Sequence, residues 1–449
     1  MYKSIVLKNG LTIIKILQPA SHTTVIGFLA SSGSANEELQ FPQGISNLIS
    51  RLFWRGTDKH PSVQSLNLAL ENLGGVFTID VTQETSEFYI KVPHYHQYRA
   101  ISLLTEIIHR SYFDALDIER EKLTLIDELK ESSDVFLPVS PNPILQNLYI
   151  NSSLGLPIHG TVESIMQIDE GIVKKYLDHQ YQPKKAYIII SGNFEEKGVA
   201  ELLEQEWMFW NPRNRKFIES ENLESHNVGV LPRLTYRQKG SAFTQLSIGF
   251  VLDRGIQFIP SSELQEGSDP QDSKHDYLAE FARILVLNTL LGRGMTSKLW
   301  SRCVDEELLF GHIQSDIFRY NQTGFLQISG LTDNIQFSFA LESVFIVLES
   351  LKKTTVSITE LLKAKEYIKG ELVRVHEDTL IFTKWYTTNV LRSGINFSLQ
   401  DLLERIDKVE APTVRSLALD LFKGERLVIT TIGTAKETKV VDKLIQKYL

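Results

Sequence analysis

The feature that most limits how this chain can fold is a pattern written twice. In the first half a strand-like run, SEFYIKVP (Ser86 to Pro93), precedes an apolar-faced helix, ISLLTEIIHRSYF, and a charged helix, IEREKLTLIDELKES. In the second half GFLQISGL (Gly324 to Leu331) precedes FALESVFIVLESLKK and ITELLKAKEYIKGELVRV. Apolar spacing of two separates the strands from the helices, where it is three or four. The strands begin 238 residues apart, at Ser86 and Gly324, and the helix glutamates Glu128 and Glu371 stand 243 apart. YIIISGNF (Tyr187 to Phe194) and LVITTIGT (Leu427 to Thr434) add an echo, each a β-rich run ahead of a glycine. A duplicated α+β unit accounts for this order.

Two polar, breaker-rich stretches punctuate the pattern. Asn211 to Gly229 falls near the middle, so the reading is a first domain over 1–211, a linker over 212–229 and a second domain over 230–449. Pro260 to His275 interrupts the second half and is expected to be a surface loop. A length of 449 residues with 42% apolar side chains supplies more than one hydrophobic core. With 47 basic against 55 acidic residues the net charge is -8, which argues against a phosphate-backbone partner such as nucleic acid. The sequence holds no uninterrupted apolar run of about 18 residues, so no membrane span is expected. The N-terminus reads as strand, Asn9-Gly10 turn and strand, not as a secretion signal. A single cysteine, Cys303, suits a reducing, cytoplasmic location.

In Gly44 to Trp54 the residues Ile45, Leu48, Ile49, Leu52 and Phe53 mark one buried helix face. Beside it Asn47, Ser50, Arg51 and Trp54 recur at three and four residues and converge on one patch. On a second helix, Ile118 to Lys130, Glu121, Thr124 and Glu128 share a side.

GISNLISRLFWRGT resembles the zinc segment of the M16 peptidases (insulinase, pitrilysin and mitochondrial processing peptidase), in which an inverted HxxEH motif is followed by an aromatic-bearing stretch ending in Gly-Thr. Further similar segments are LKNGLTIIKI, GSANE, GLPIHGTVESI, YQPKKAYIIISGNF and LLGRGMTSKLW, so the resemblance spans nearly the whole chain. It implies two homologous αβ halves, each a mostly antiparallel sheet with helices packed on it, as in one half of an M16 clamshell. It places Asn47 at the first histidine, Ser50 at the glutamate and Arg51 at the second histidine. Glu128 matches the third zinc ligand, and Glu121, seven residues earlier, its acidic companion.

Catalytic zinc needs three good donors and an open position. An amide and a fixed guanidinium cannot replace two imidazoles, and Ser50 cannot take a proton from metal-bound water as the family glutamate does. Zinc binding and catalysis are therefore expected to be lost. Arg51 is expected to pair with Glu128, with Glu121 as a further acceptor, in a buried cavity where removing the cation would cost about 3 to 5 kcal/mol. Active relatives also carry an Arg and a Tyr seven residues apart in the second half; here Cys303 and Phe310 fall on those positions, with Arg302 one residue away as a substitute. Gly292, Arg293, Gly294 and Met295 resemble the family's glycine-rich loop, a possible substrate-binding element, although a helix-entry turn explains them as well.

Other groups have plainer readings. His94 and His96 read as an exposed loop pair, His109 and His159 as structural, and Cys303 as a packed thiol. The resemblance implies a non-catalytic subunit that helps form a peptide chamber with a zinc-bearing M16 partner, or a homodimer. The alternatives are a weakly active or trans-complemented zinc endopeptidase, and a scaffold like the core subunits of respiratory complexes.

Overall fold

The computed structural model describes residues 2–37, 40–132, 142–150, 152–210, 234–238, 240, 242–252, 270–321, 323–391, 397–433 and 438–449. The linker expected at 212–229 lies outside them, as does 260–269 of the expected loop.

The first half opens with strands β1 (Tyr2–Val6), β2 (Thr12–Leu17) and β3 (Thr23–Ala30), followed by α1 (Ile45–Leu52) and α2 (Val63–Glu71). Strands β4 (Val76–Val81) and β5 (Ser86–Pro93) lead into α3 (Gln97–Arg110) and α4 (Ala115–Ser132). Helices α5 (Asn142–Leu148), α6 (Val162–Met166) and α7 (Glu170–Gln180) precede β6 (Ala186–Gly192) and α8 (Glu196–Trp207). The six strands form one mixed sheet in the order β1-β2-β6-β3-β5-β4, in which only β2 and β6 run parallel. Ile26 and Phe28 of β3, Phe88 and Ile90 of β5, and Ile188 and Ile190 of β6 point to one face and are fully buried under α1 and α3.

The second half repeats this plan with β7 (Leu234–Gln238), β8 (Phe243–Leu252), α9 (Pro270–Gly292), the single turn α10 (Lys298–Trp300), β9 (His312–Arg319) and β10 (Gly324–Asp333). It continues through α11 (Phe337–Lys353), α12 (Ile358–Glu377), α13 (Thr379–Tyr386), α14 (Leu399–Asp407), α15 (Ala411–Leu421), β11 (Leu427–Gly433) and α16 (Thr438–Tyr448). Its sheet runs β7-β11-β8-β10-β9, again with one parallel pair, β7 with β11. The repeat extends to backbone detail. α7 and α15 each end on an aromatic residue of the same conformation, Tyr181 (φ -90°, ψ 69°) and Phe422 (φ -85°, ψ 66°).

Two details differ from the sequence reading. The helical backbone of α9 begins at Pro270, inside the stretch expected to be a loop. Proline suits a first helical turn, where its missing N–H leaves no bond unmade. Asn334–Lys353 is long and apolar enough to cross a membrane, although it is interrupted by Glu342 and Glu349. In this fold its Leu341, Val344, Phe345 and Leu348 are fully buried core residues.

The chain divides into two compact units: residues 1–135, 156–222 and 376–385 form the first, and 136–155, 223–375 and 386–449 the second. Each unit thus incorporates a short segment from the other half of the sequence.

Candidate functional site

The site is built on α1, and a buried carboxyl group fixes where that helix starts. Glu37 is fully buried and accepts from the backbone N–H of Gly44 (2.7 Å) and of Ser46 (3.0 Å) and from the Ser46 hydroxyl. These groups are donors that a helix N-terminus otherwise leaves unmatched. Burial pushes the Glu37 carboxyl up to about 8, against the pull of those hydrogen bonds. Gly44 has φ +90°, and a Cβ there would come within 2.9 Å of the His159 carbonyl oxygen. Only glycine lets the segment around His159 lie against the start of α1.

From that start, Ile45, Leu48, Ile49, Leu52 and Phe53 enter the core as the spacing predicts. On the neighbouring stripe, Arg51 reaches α4. Arg51 donates to Glu128 through both terminal nitrogens, Nη1 to Oε1 at 2.8 Å and Nη2 to Oε2 at 2.6 Å. This fork matches guanidinium to carboxylate geometry and is the strong form of the pair. The hydrogen bonds from Arg51 hold the Glu128 carboxyl below its ordinary range. Ser50 is buried and donates to the Ser46 carbonyl one turn back (2.7 Å), which ties its hydroxyl into the helix.

Two expectations about this ion pair are corrected. Glu121 is not shared with Arg51; it pairs with Arg55, a residue the sequence reading did not single out. Two arginines four residues apart thus meet two glutamates seven apart on α4, in a two-rung ladder. Glu128 is not buried either: its side chain is 48% exposed and that of Arg51 28%. Water screens such a pair, so its removal costs about 1 kcal/mol or less. The buried acid is Glu121, at 6% side-chain exposure, and Arg55 is its counter-ion.

His159, expected from the sequence to be structural, is brought to the site. Its Nδ1 lies 2.9 Å from Asn47 Nδ2, and both burial and the Arg51 cation lower its affinity for a proton. Nothing in the sequence spacing signals this contact, since the two residues are 112 positions apart. An open cleft of about 510 Å³ adjoins the ladder, lined by Arg51, Trp54, Phe77, Ile79, Glu121 and Thr124 among others. Its aromatic wall is the stacked pair Trp54 and Phe77 (centroids 3.9 Å apart, 16° between planes), with Trp54 anchored to Asn67 Oδ1 at 2.9 Å. Phe77 and Ile79 lie on β4, the edge strand of its sheet.

The donor set does not fit a catalytic zinc ion. Of the three positions that the family resemblance assigns as ligands, one offers an amide, one a cation and one a carboxylate whose two oxygens are both held by that cation. Among the described residues no three His, Cys, Asp or Glu side chains are grouped to hold a metal ion.

The second unit carries an analogous arginine. Arg293, in the glycine-rich loop, donates to Asp316 of β9 (2.9 Å) and to Glu371 of α12 (2.8 Å). Gly294 follows with φ +83° against the Tyr367 ring, leaving Met295 73% exposed. Cys303 and Phe310 are both buried. The Cys303 thiol lies 3.4 Å from the Ser343 hydroxyl, and burial pushes it up to about 11, which keeps it protonated. Arg302 is engaged by Glu307 (2.5 Å) and Ser343 (3.1 Å). His94 and His96 flank the 69%-exposed Tyr95 in a short turn after β5. His109 packs between Trp207 (4.3 Å) and Trp210 (5.8 Å, 9° between planes).

Comparison with known proteins places these observations in one family. Residues 12–162 match "Insulinase (Peptidase family M16)" and residues 168–368 match "Peptidase M16 inactive domain". A Bacillus subtilis (strain 168) protein named "Uncharacterized zinc protease YmxG" is 25% identical over 427 residues, covering 94% of this chain and 96% of its own. The mitochondrial-processing peptidase subunit beta of Blastocladiella emersonii is 22% identical over 437 residues, covering 95% and 87%. Among solved structures, a protease from Helicobacter pylori superposes with a TM-score of 0.80 at 19% identity, over 96% of this chain and 99% of that one. The M16 inactive-domain structure from Pseudomonas fluorescens superposes with a TM-score of 0.79 at 14% identity, over 97% and 98%. With both M16 regions matched in chain order and an α+β fold of two mixed sheets, each packed with helices, the chain belongs to the M16 peptidase family.

Proposed function

We propose that this protein is a non-catalytic M16 subunit that binds peptides and works beside a zinc-bearing M16 homologue. The observation that carries the reading is the bidentate Arg51–Glu128 pair, with Asn47 and Ser50 at the other positions of the family motif. A guanidinium repels the cation it replaces, and a serine hydroxyl held by its own helix is no general base. The cleft beside the pair keeps an apolar aromatic wall and an edge strand, which together suit an extended peptide. A subunit of this kind contributes binding and orientation without supplying a reacting group. The named beta subunit among its relatives supports a heteromeric partner. With Cys303 as its sole cysteine, the reading places the protein in the cytoplasm.

The test is purification of the chain with its native partners, followed by zinc analysis of each separated subunit and a peptide-cleavage assay. This chain should carry no zinc and cleave nothing alone, while cleavage by the complex should be stopped by a chelator. Stoichiometric zinc in the isolated chain, with chelator-sensitive hydrolysis, would establish the competing reading of a working zinc protease, which the naming of its Bacillus relative favours.

A further inference from the structure

The first unit carries a second open cleft, of about 670 Å³, that shares no lining residue with the one beside Arg51. One face of α3 runs along it, where Arg99, Ser102, Leu103 and Glu106 recur at helical spacing over about 10 Å. Leu73, just after α2, and Leu202 of α8 add apolar surface beside Leu103. The cleft is thus greasy along its length and charged at its ends.

At the Glu106 end a carboxylate and an imidazole are coupled. Glu106 is buried, accepts from the Thr57 hydroxyl and lies 3.0 Å from His60 Nδ1. Burial works against ionisation there, but the hydrogen bonds from Thr57 and His60 outweigh it and hold the carboxyl below its ordinary range. An ionised Glu106 can only accept, so Nδ1 carries the hydrogen and Nε2 is the atom His60 presents. Nε2 has no hydrogen-bond partner among the described residues, and the side chain is 28% exposed.

The surrounding charges decide which ligand fits. Lys59 and Arg99 are exposed and form no ion pair among the described residues. Against them stand Glu106 and Glu201, while Glu195 nearby is engaged by the Tyr98 hydroxyl (2.7 Å). Protonated His60 adds a cation and an N–H at Nε2, which leaves the lining one positive charge in excess. A single excess cation beside apolar side chains matches a monoanion with a hydrocarbon body, and would leave a phosphate dianion half compensated.

We propose that this cleft binds a carboxylate carrying a hydrocarbon chain, with the head held by His60 Nε2–H and Lys59 and the chain laid over Leu73, Leu103 and Leu202. Glu106 is a positioning residue, because it fixes the imidazole without touching the ligand. The site is separate from the Arg51 pair and does not rest on the peptide-binding reading.

The test is calorimetric titration of the full chain with octanoate, and with octanol and octylammonium as probes of the same tail. One octanoate should bind per chain, at least about tenfold tighter than octanol, and octylammonium should show no saturable binding. Octanoate should also raise hydrogen-exchange protection in α3 and α8. His60→Gln keeps a donor for Glu106 but removes the imidazolium, and should weaken octanoate by about tenfold or more. Lys59→Gln, at an exposed position, should weaken it by about threefold. Ser102→Trp, on the exposed part of the α3 face, should fill the cleft and abolish binding. If His60→Gln fails to fold, Lys59→Gln and the three probes on the unsubstituted chain decide the matter. Absence of saturable octanoate binding, equal binding of octylammonium, or full binding retained in folded Lys59→Gln and Ser102→Trp would overturn the proposal.

Discussion

Arg51 and Arg293 solve the same problem in two settings. Arg51 lies on α1 and Arg293 just after α9, the first helix of each repeat, and each neutralises the glutamate of the later charged helix, Glu128 on α4 or Glu371 on α12. In the second unit one guanidinium bridges two acids, both largely shielded: Asp316 is 21% and Glu371 29% exposed. In the first unit the work is divided, with Arg51 holding a half-exposed glutamate and Arg55 a buried one. The comparison teaches that the motif positions of the first unit are now braced as the second unit is braced, by cation against carboxylate across two elements. What differs is how much water each rung meets, and that sets its energetic weight.

The comparison breaks first if the motif can be restored. Replacing Asn47→His, Ser50→Glu and Arg51→His together should free Glu128 and give a chain that holds one zinc ion where the parent is proposed to hold none, read by metal analysis after dialysis. A folded triple variant that takes up no metal would show that α1 and α4 are not placed as the family requires. The next largest effect is on stability. Arg55→Met strands the buried Glu121 and should cost about 3 to 5 kcal/mol in denaturant unfolding. Arg293→Met leaves two partly shielded acids facing each other and should cost about 2 kcal/mol. Arg51→Met should cost about 1 kcal/mol or less, because Glu128 keeps its water. If Arg51→Met is as damaging as Arg55→Met, water does not set the difference between the two rungs.

The remaining effects appear on acidification. Glu128 titrates below its ordinary range, so the stabilisation it draws from Arg51 is complete at neutral pH and fades as pH falls through that lowered value. Arg51→Met should remove that part of the acid response. His109 gives a wider window, because burial lowers it to about 4 and the neutral form is the native one. The unfolded chain therefore binds the extra proton, and stability should decline from roughly pH 6.5 down to about 4. His109→Phe should flatten the slope across that interval in hydrogen exchange of the first unit.

Much of the fold was legible because its signals are local. The apolar spacing of Ile45 to Phe53 and the strand at Ser86 to Pro93 needed only neighbours within a turn or a few residues. The helix start at Pro270 is not legible for the opposite reason: a polar, breaker-rich run resembles a loop whether or not its proline begins a helix. At the site, the amide, hydroxyl and guanidinium in place of zinc chemistry were plain from residue types. His159 and Arg55 were not, since their partners lie 112 and 66 positions away and no periodicity connects them.

The sequence alone determined that two α+β repeats would form and that three side chains of the first helix could not act as ligands and base, because residue chemistry and short-range spacing are written in the chain. Only the tertiary structure decided which arginine meets which glutamate, how much water each pair keeps, and which short segment of the other half each unit incorporates. Those outcomes depend on burial and on contacts across hundreds of residues, and both are set when the elements pack.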